Sequence, residues 1–285
     1  DRIATLVDMV YDPMNYTQYE GFTVLIAAML FSVQIYCDFA GYTHIAIGAA
    51  KIMGFSLMDN FHTPYLAVSV KDFWDRWHIS LTTWFKDYLY FPLGGSRKGK
   101  IRKYINIFIV FLLSGLWHGA AWHYVVWGVL HGVVRIVGEL TLGIREKLYT
   151  ALHFKRDTFA TKMWQVVFTF GLVTALWMFF RGESVHQTLV LMKNMVTVYN
   201  PWVLTDGSLF TLGLDAKEWN VMLVSLLILM IIDMCKYKKI DLVAVFMKQN
   251  LWFRWGFFYL GIMAVVLFGV YGPQYNAAQF IYFQF

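Results

Sequence analysis

The stretch from Leu113 to Gly132, LSGLWHGAAWHYVVWGVLHG, carries three histidines and three tryptophans and no formal charge. A neutral imidazole, with an ordinary pKa of about 6.5, can take a proton from a hydroxyl while the oxygen attacks an acyl group, or can accept the acyl group itself. Both routes need a protected site, because water would otherwise hydrolyse an activated donor. His118, between Trp117 and Gly119, is the leading candidate, since the glycine lets backbone or substrate come close. His123 and His131 read instead as packing histidines that hydrogen-bond neighbouring helices. A metal site is not supported: the three rings lack i, i+4 spacing on one face, and no carboxylate lies within the stretch.

Two further polar residues sit in apolar surroundings. Asp38 falls near the middle of a long uncharged region, where a carboxylate either packs against a neighbouring helix or serves the active site. His78 lies in the segment VKDFWDRWHISLTTWFKDYLYFPLGG; spacing alone favours a structural role for it over a catalytic one. The signatures of soluble enzymes are missing, with no phosphate-cradling glycine loop, no GxSxG elbow and no HExxH.

The elements that must hold these residues are membrane helices. The chain is 59% hydrophobic, 19% aromatic and only 15% charged over 285 residues, with a mean hydropathy of +0.51, well beyond what a soluble domain carries. Its net charge of +6 comes from Lys and Arg in short loops between apolar runs, which marks the cytoplasmic side and gives no reason to expect a nucleic-acid partner. Cys37 and Cys235 lie in or beside apolar runs, without the pattern of a disulfide framework or a zinc site. No signal peptide precedes the polar stretch Asp1 to Glu20, as though the chain began partway through something longer.

In order, Gly21 to Lys51 reads as one tilted helix of roughly 45 Å at ~1.5 Å per residue. Phe61, Pro64 and Tyr65 form a loop. Phe73, Trp77, Leu81, Trp84 and Tyr88 then recur at helical spacing, as in helices lying in the membrane interface. Gly94 and Gly95 end that segment before the basic run SRKGKIRK, read as a cytoplasmic loop with donor-phosphate binding as the secondary reading. Tyr104 to Val134 suits two short helices meeting near Gly119. A second basic region, which includes Arg145, Lys155 and Arg156, follows. Met163 to Phe180, Trp219 to Ile232 and Trp255 to Tyr271 complete about six crossings with both ends outside; the stretch Arg181 to Glu218 reads as a mixed loop.

Four ordered segments, CDFAGYTHIAIGAAKIMGF, FWDRWHISLTTWFKDYLYFPLGGSRKG, SGLWHGAAWHYVVWGVLHG and FGVYGPQYNAAQFIYFQF, resemble the membrane-bound O-acyltransferase family, most closely the bacterial branch that includes the alginate O-acetylation membrane protein. Members of that branch are longer at the N-terminus, so the chain corresponds to their C-terminal part. The resemblance implies a fold: all-α, polytopic, a ring of tilted transmembrane helices with interfacial or re-entrant helices around a central funnel, with residues 1–285 as one domain. It also implies two functional histidines, His118 in the WHG motif and His78 in the RWHISL motif. At His44 the chain departs from relatives, which carry Asp in a GYSDIAIG form, so that carboxylate's role does not carry over.

The expected function is therefore O-acyl transfer, most specifically of an acetyl group, from a cytoplasmic thioester to hydroxyls of an extracytoplasmic polysaccharide such as alginate or peptidoglycan. His118 would be the general base or the transient acyl carrier, and His78 would orient the donor or relay a proton. Trp77, Trp117 and Asp38 are the expected substrate contacts. Acetyl-CoA or an acyl-carrier thioester would be a substrate, with no bound cofactor or metal; a periplasmic acetyltransferase is an expected partner, and the bacterial inner membrane the location. Three rivals stand beside this reading. One is D-alanyl transfer to teichoic acid. Another is a transporter or acyl channel, against which the lack of internal two-fold repetition counts. The third is a non-catalytic scaffold for a periplasmic transferase.

Overall fold

The computed structural model describes residues 1–155 and 157–271. Arg156 and the aromatic tail 272–285, GPQYNAAQFIYFQF, lie outside the described residues, so the last segment of the family resemblance is only partly covered. Among the described residues there are twelve α-helices and no strand: α1 (Arg2–Val10), α2 (Gly21–Ile52), α3 (Val70–Trp74), α4 (Ile79–Phe85), α5 (Lys100–His118), α6 (Trp122–Leu140), α7 (Leu142–Ala151), α8 (Phe159–Arg181), α9 (Val185–Thr197), α10 (Ala216–Tyr237), α11 (Leu242–Met247) and α12 (Leu251–Phe268). The chain is an all-α, multi-pass membrane protein.

The long uncharged run from Gly21 does fold as a single helix, α2, of 32 residues. Its first turn is capped from afar. The Asn200 side-chain oxygen Oδ1 accepts the Phe22 N–H at 2.7 Å, which satisfies one of the donors every helix start leaves open. Against α2 pack α1, α8 and α9. Inside this apolar interface Ser32 of α2 and Thr174 of α8 share a hydrogen bond of 3.0 Å, both fully or nearly fully buried, the kind of polar tie that holds helices together where lipid supplies no hydrophobic drive.

Among the described residues, four helices are long and apolar enough to cross a bilayer: α2, α8, α10 and α12. The pair α6–α7, bent by 48°, makes a fifth if it counts as one span. This is fewer than the six crossings read from the sequence, and the difference is α5. It opens with Lys100, Arg102 and Lys103 and ends on His118, so its polar ends leave too short an apolar centre. With α6 it instead forms an antiparallel hairpin whose tip is His118 to Ala121.

The hairpin is tight because its contact is made of glycines. A Cβ on Gly128 would lie 3.1 Å from Gly115 Cα and would strike the Phe111 carbonyl oxygen; one on Gly115 would strike the Tyr124 carbonyl oxygen. Only residues without side chains let two backbones come this close. At the open end Glu139 of α6 is held by both Lys103 and Arg135.

Two regions differ from the sequence reading. The supposed mixed loop from Arg181 to Glu218 contains α9, whose N-cap Ser184 accepts the Gln187 N–H and whose buried face carries Gln187, Thr188 and Leu191. The interfacial segment is not continuous helix: α3 stops at Trp74, and α4 begins only after His78. At the C-terminal side, α12 buries none of its residues and α10 few, which leaves an apolar surface of the kind that faces lipid or further membrane helices.

Candidate active site

His118 is the last residue of α5, so its position follows from the glycine contact three residues earlier. Tyr124 of α6 folds back over the turn. A Cβ on Gly119 would lie 2.8 Å from its ring, so the residue after His118 has no room for a side chain. Around the His118 imidazole stand Trp117 at 4.7 Å between ring centres, Trp127 of α6 at 5.3 Å and Phe180 of α8 at 5.0 Å, all edge to face. These rings supply apolar walls from three helices.

His78 sits in the break between α3 and α4 with φ 46° and ψ 54°. A non-glycine residue in this left-handed region costs on the order of 1 kcal/mol and persists only where its surroundings enforce it. Here the enforcement is a short antiparallel pairing with the preceding loop. Phe61 bridges Trp77, the His62 N–H donates to the Arg76 carbonyl at 3.0 Å and the Ile79 N–H to the Asn60 carbonyl at 3.1 Å. The Asn60 side chain also accepts the Ser80 N–H at 3.0 Å, and Arg76 is fixed to Asp72 at 2.7 Å. The His78 ring meets Phe39 of α2 at 4.5 Å and Trp117 at 6.4 Å. Burial pushes its imidazole down to about 4, so it is neutral near pH 7.

The two histidines line one small, partly open pocket. Its walls are mostly indole and phenyl: Trp74 and Trp77 from the interfacial segment, Trp127 from α6, and Trp177 and Phe180 from α8. Trp127 and Trp177 stack at 5.6 Å. Among the described lining residues Ser114, one helical turn before His118, adds a hydroxyl to the two imidazoles. Such a site can place neutral bases beside a reacting carbonyl while keeping bulk water away. Among the described residues no three His, Cys, Asp or Glu side chains are grouped to hold a metal ion.

Of the residues singled out in the sequence, His118, His78 and Trp77 come together in this pocket. Trp117, 56% exposed, is not among the described lining residues, but its ring lies against both histidines. Asp38 is not among the described lining residues; it precedes Phe39 on α2, whose ring meets His78. His44 is turned to its own helix, Nδ1 lying 2.6 Å from the Ala40 carbonyl oxygen. His123 lies 3.2 Å from the Phe179 carbonyl oxygen of α8, and His131 accepts a hydrogen bond from Trp74. Sequence reasoning missed Trp74, Trp127, Trp177, Phe180 and Ser114. Ser114 was signalled by its i, i+4 relation to His118, and Trp177 with Phe180 by their i, i+3 relation on α8.

The profile of "MBOAT, membrane-bound O-acyltransferase family" matches residues 4–182, which include both pocket histidines. The chain is 38% identical over 206 residues to the probable alginate O-acetylase AlgI of Pseudomonas putida, covering 72% of this chain and 39% of that protein. It is 35% identical over 219 residues to the peptidoglycan O-acetyltransferase of Helicobacter pylori, covering 77% and 38% respectively. The teichoic acid D-alanyltransferase of Bacillus subtilis matches at 33% over 164 residues, 55% of this chain and 40% of the relative. The chain thus spans about two fifths of the length of these curated relatives. The matched region contains the residues that line the pocket, and the chain belongs to the membrane-bound O-acyltransferase family.

Proposed function

We propose that residues 1–285 form a single domain that carries the reaction centre of an O-acetyltransferase in the bacterial inner membrane. It transfers acetyl from a cytoplasmic thioester, acetyl-CoA or an acyl-carrier thioester, to a hydroxyl of an extracytoplasmic glycan or of a periplasmic transferase that passes it on. The observation that carries this reading is that His78 and His118, from separate elements, share one largely apolar pocket.

In the reaction, a neutral His118 accepts the proton of the acceptor hydroxyl as its oxygen bonds to the thioester carbonyl carbon. The tetrahedral adduct collapses, the carbon–sulfur bond breaks, and the proton held by His118 passes to the leaving thiolate. His78 orients the thioester, or carries the proton from His118 to the thiolate and ends neutral. The aromatic walls exclude the water that would otherwise take the acetyl group. Trp77 and Trp117, against the histidines, and Asp38, beside Phe39 on α2, make the substrate contacts. Positioned general bases contribute roughly 10²–10⁴-fold in rate.

The acetyl reading is supported over D-alanyl transfer by the extent of the likeness. The relatives named for alginate and peptidoglycan acetylation match 72% and 77% of this chain, and the D-alanyltransferase 55%. The test is incubation of the full-length protein in membranes with radiolabelled acetyl-CoA. Transfer to glycan, or hydrolysis, that disappears in His118→Ala supports an enzyme; label handled equally by the variant supports a channel or scaffold.

A further inference from the structure

One buried histidine has no part in the proposed reaction. His131 of α6 is fully enclosed, and its Nδ1 lies 3.2 Å from Nε1 of Trp74. An indole nitrogen only donates, so His131 accepts at Nδ1 and is a neutral imidazole with its proton on Nε2. That Nε2 is buried and finds no hydrogen-bond partner among the described residues. An orphaned buried donor is costly, and an apolar side chain in the same space would avoid it. What histidine supplies, and leucine or phenylalanine would not, is the acceptor for Trp74.

Trp74 is placed where such a bond matters. It is the last residue of α3, four before His78, and its ring lines the pocket. It also lies edge-on to Phe111 of α5 at 5.2 Å, to Trp127 of α6 at 5.9 Å and to His131 at 5.0 Å. The Trp74–His131 bond is thus a polar tie between the segment that carries His78 and the hairpin that carries His118. The neighbouring contacts are ring packing, which tolerates sliding; a hydrogen bond fixes direction.

We infer that His131 is a positioning residue: through its hydrogen bond to Trp74 it sets the placement of His78 relative to His118. The inference rests on the acyl-transfer reading for its effect on rate, and on geometry alone for its effect on the segment.

The test uses full-length protein in membranes, with His131→Gln, which keeps an acceptor, His131→Leu and Trp74→Phe, which remove one partner each, and the Leu/Phe double variant. At equal membrane abundance, His131→Leu and Trp74→Phe are expected to lower kcat by about tenfold or more, since small misplacements of reacting groups are costly. His131→Gln is expected to retain most of the rate, and the double variant to be no slower than the slower single one, because both remove the same bond. A second measurement is independent of chemistry: backbone amide exchange across residues 74–79 rises in His131→Leu and Trp74→Phe and returns toward the parent in His131→Gln. If His131→Leu fails to accumulate, Trp74→Phe carries both measurements. Should His118→Ala retain full activity, the reaction reading falls and the exchange measurement alone decides the tie. Unchanged exchange in the single variants, or a Gln variant as perturbed as Leu, overturns the inference.

Discussion

Substituting Gly128 by alanine tests whether the α5–α6 contact is what places His118. The added Cβ would lie 3.1 Å from Gly115 Cα and would overlap the Phe111 carbonyl oxygen, whereas carbon atoms pack best at roughly 3.5–4.0 Å. Neither obstacle is a flexible side chain, so the helices must part by about half an ångström or more near His118. Overpacking of this kind costs about 1–3 kcal/mol. A misplacement approaching 1 Å lowers catalysis by about 100-fold. Gly128→Ala should therefore unfold at a lower temperature in detergent and, at equal membrane abundance, lose far more acetyl transfer than its loss of stability explains. Gly132→Ala is the graded comparison: its Cβ would lie 3.2 Å from Phe111 Cβ and 3.6 Å from Phe108 Cα, tight but without the overlap met at Gly128, so it should be milder on both counts. Parent-like activity and melting in Gly128→Ala would refute the placement of His118 by close backbone contact.

Other outcomes follow from single contacts. Gly119→Ala puts a Cβ 2.8 Å from the Tyr124 ring; it should displace Tyr124 and lower the rate while leaving membrane insertion intact, as measured by transfer assay beside quantitative blotting. Tyr36 of α2 donates to Asp233 of α10 at 3.1 Å, so Asp233→Leu should destabilise the α2–α10 contact by about 1–3 kcal/mol in thermal unfolding, with Asp233→Asn, still an acceptor, nearer the parent. His78, with its pKa lowered by burial to about 4, should stay neutral in nitrogen NMR to well below the ordinary histidine value of about 6.5. The unfolded chain binds that proton first, so this group's contribution is fully present above about pH 6.5 and declines as pH falls towards about 4.

Much of this was legible in the chain because membrane helices are written in composition. The run from Gly21 gave α2 nearly to the residue, and the break near Gly119 gave the hairpin, since a glycine beside a polar histidine ends an apolar segment visibly. The aromatic spacing from Phe73 to Tyr88 concealed the break at His78. That break is enforced by Asn60, Phe61 and His62 from the preceding loop, a pairing that helical periodicity does not contain. Helix α9 was hidden for a related reason: its buried face includes Gln187, whose side chain donates to the Tyr11 carbonyl at 2.7 Å, so burial there does not look apolar. The two histidines were nameable individually, but the walls between them were not. Trp127 and Trp177 are ordinary membrane tryptophans until α6 and α8 bring them face to face.

That His118 performs acyl-transfer chemistry in the pocket it shares with His78 is open to direct test. Its most direct test is mass analysis of surface polysaccharide from cells whose full-length protein carries His118→Ala, compared with the parent, after confirming equal insertion in the membrane. Loss of one acetyl mass series is the predicted result, and it would identify the acceptor at the same time. Unchanged acetylation with the variant normally inserted would contradict the account.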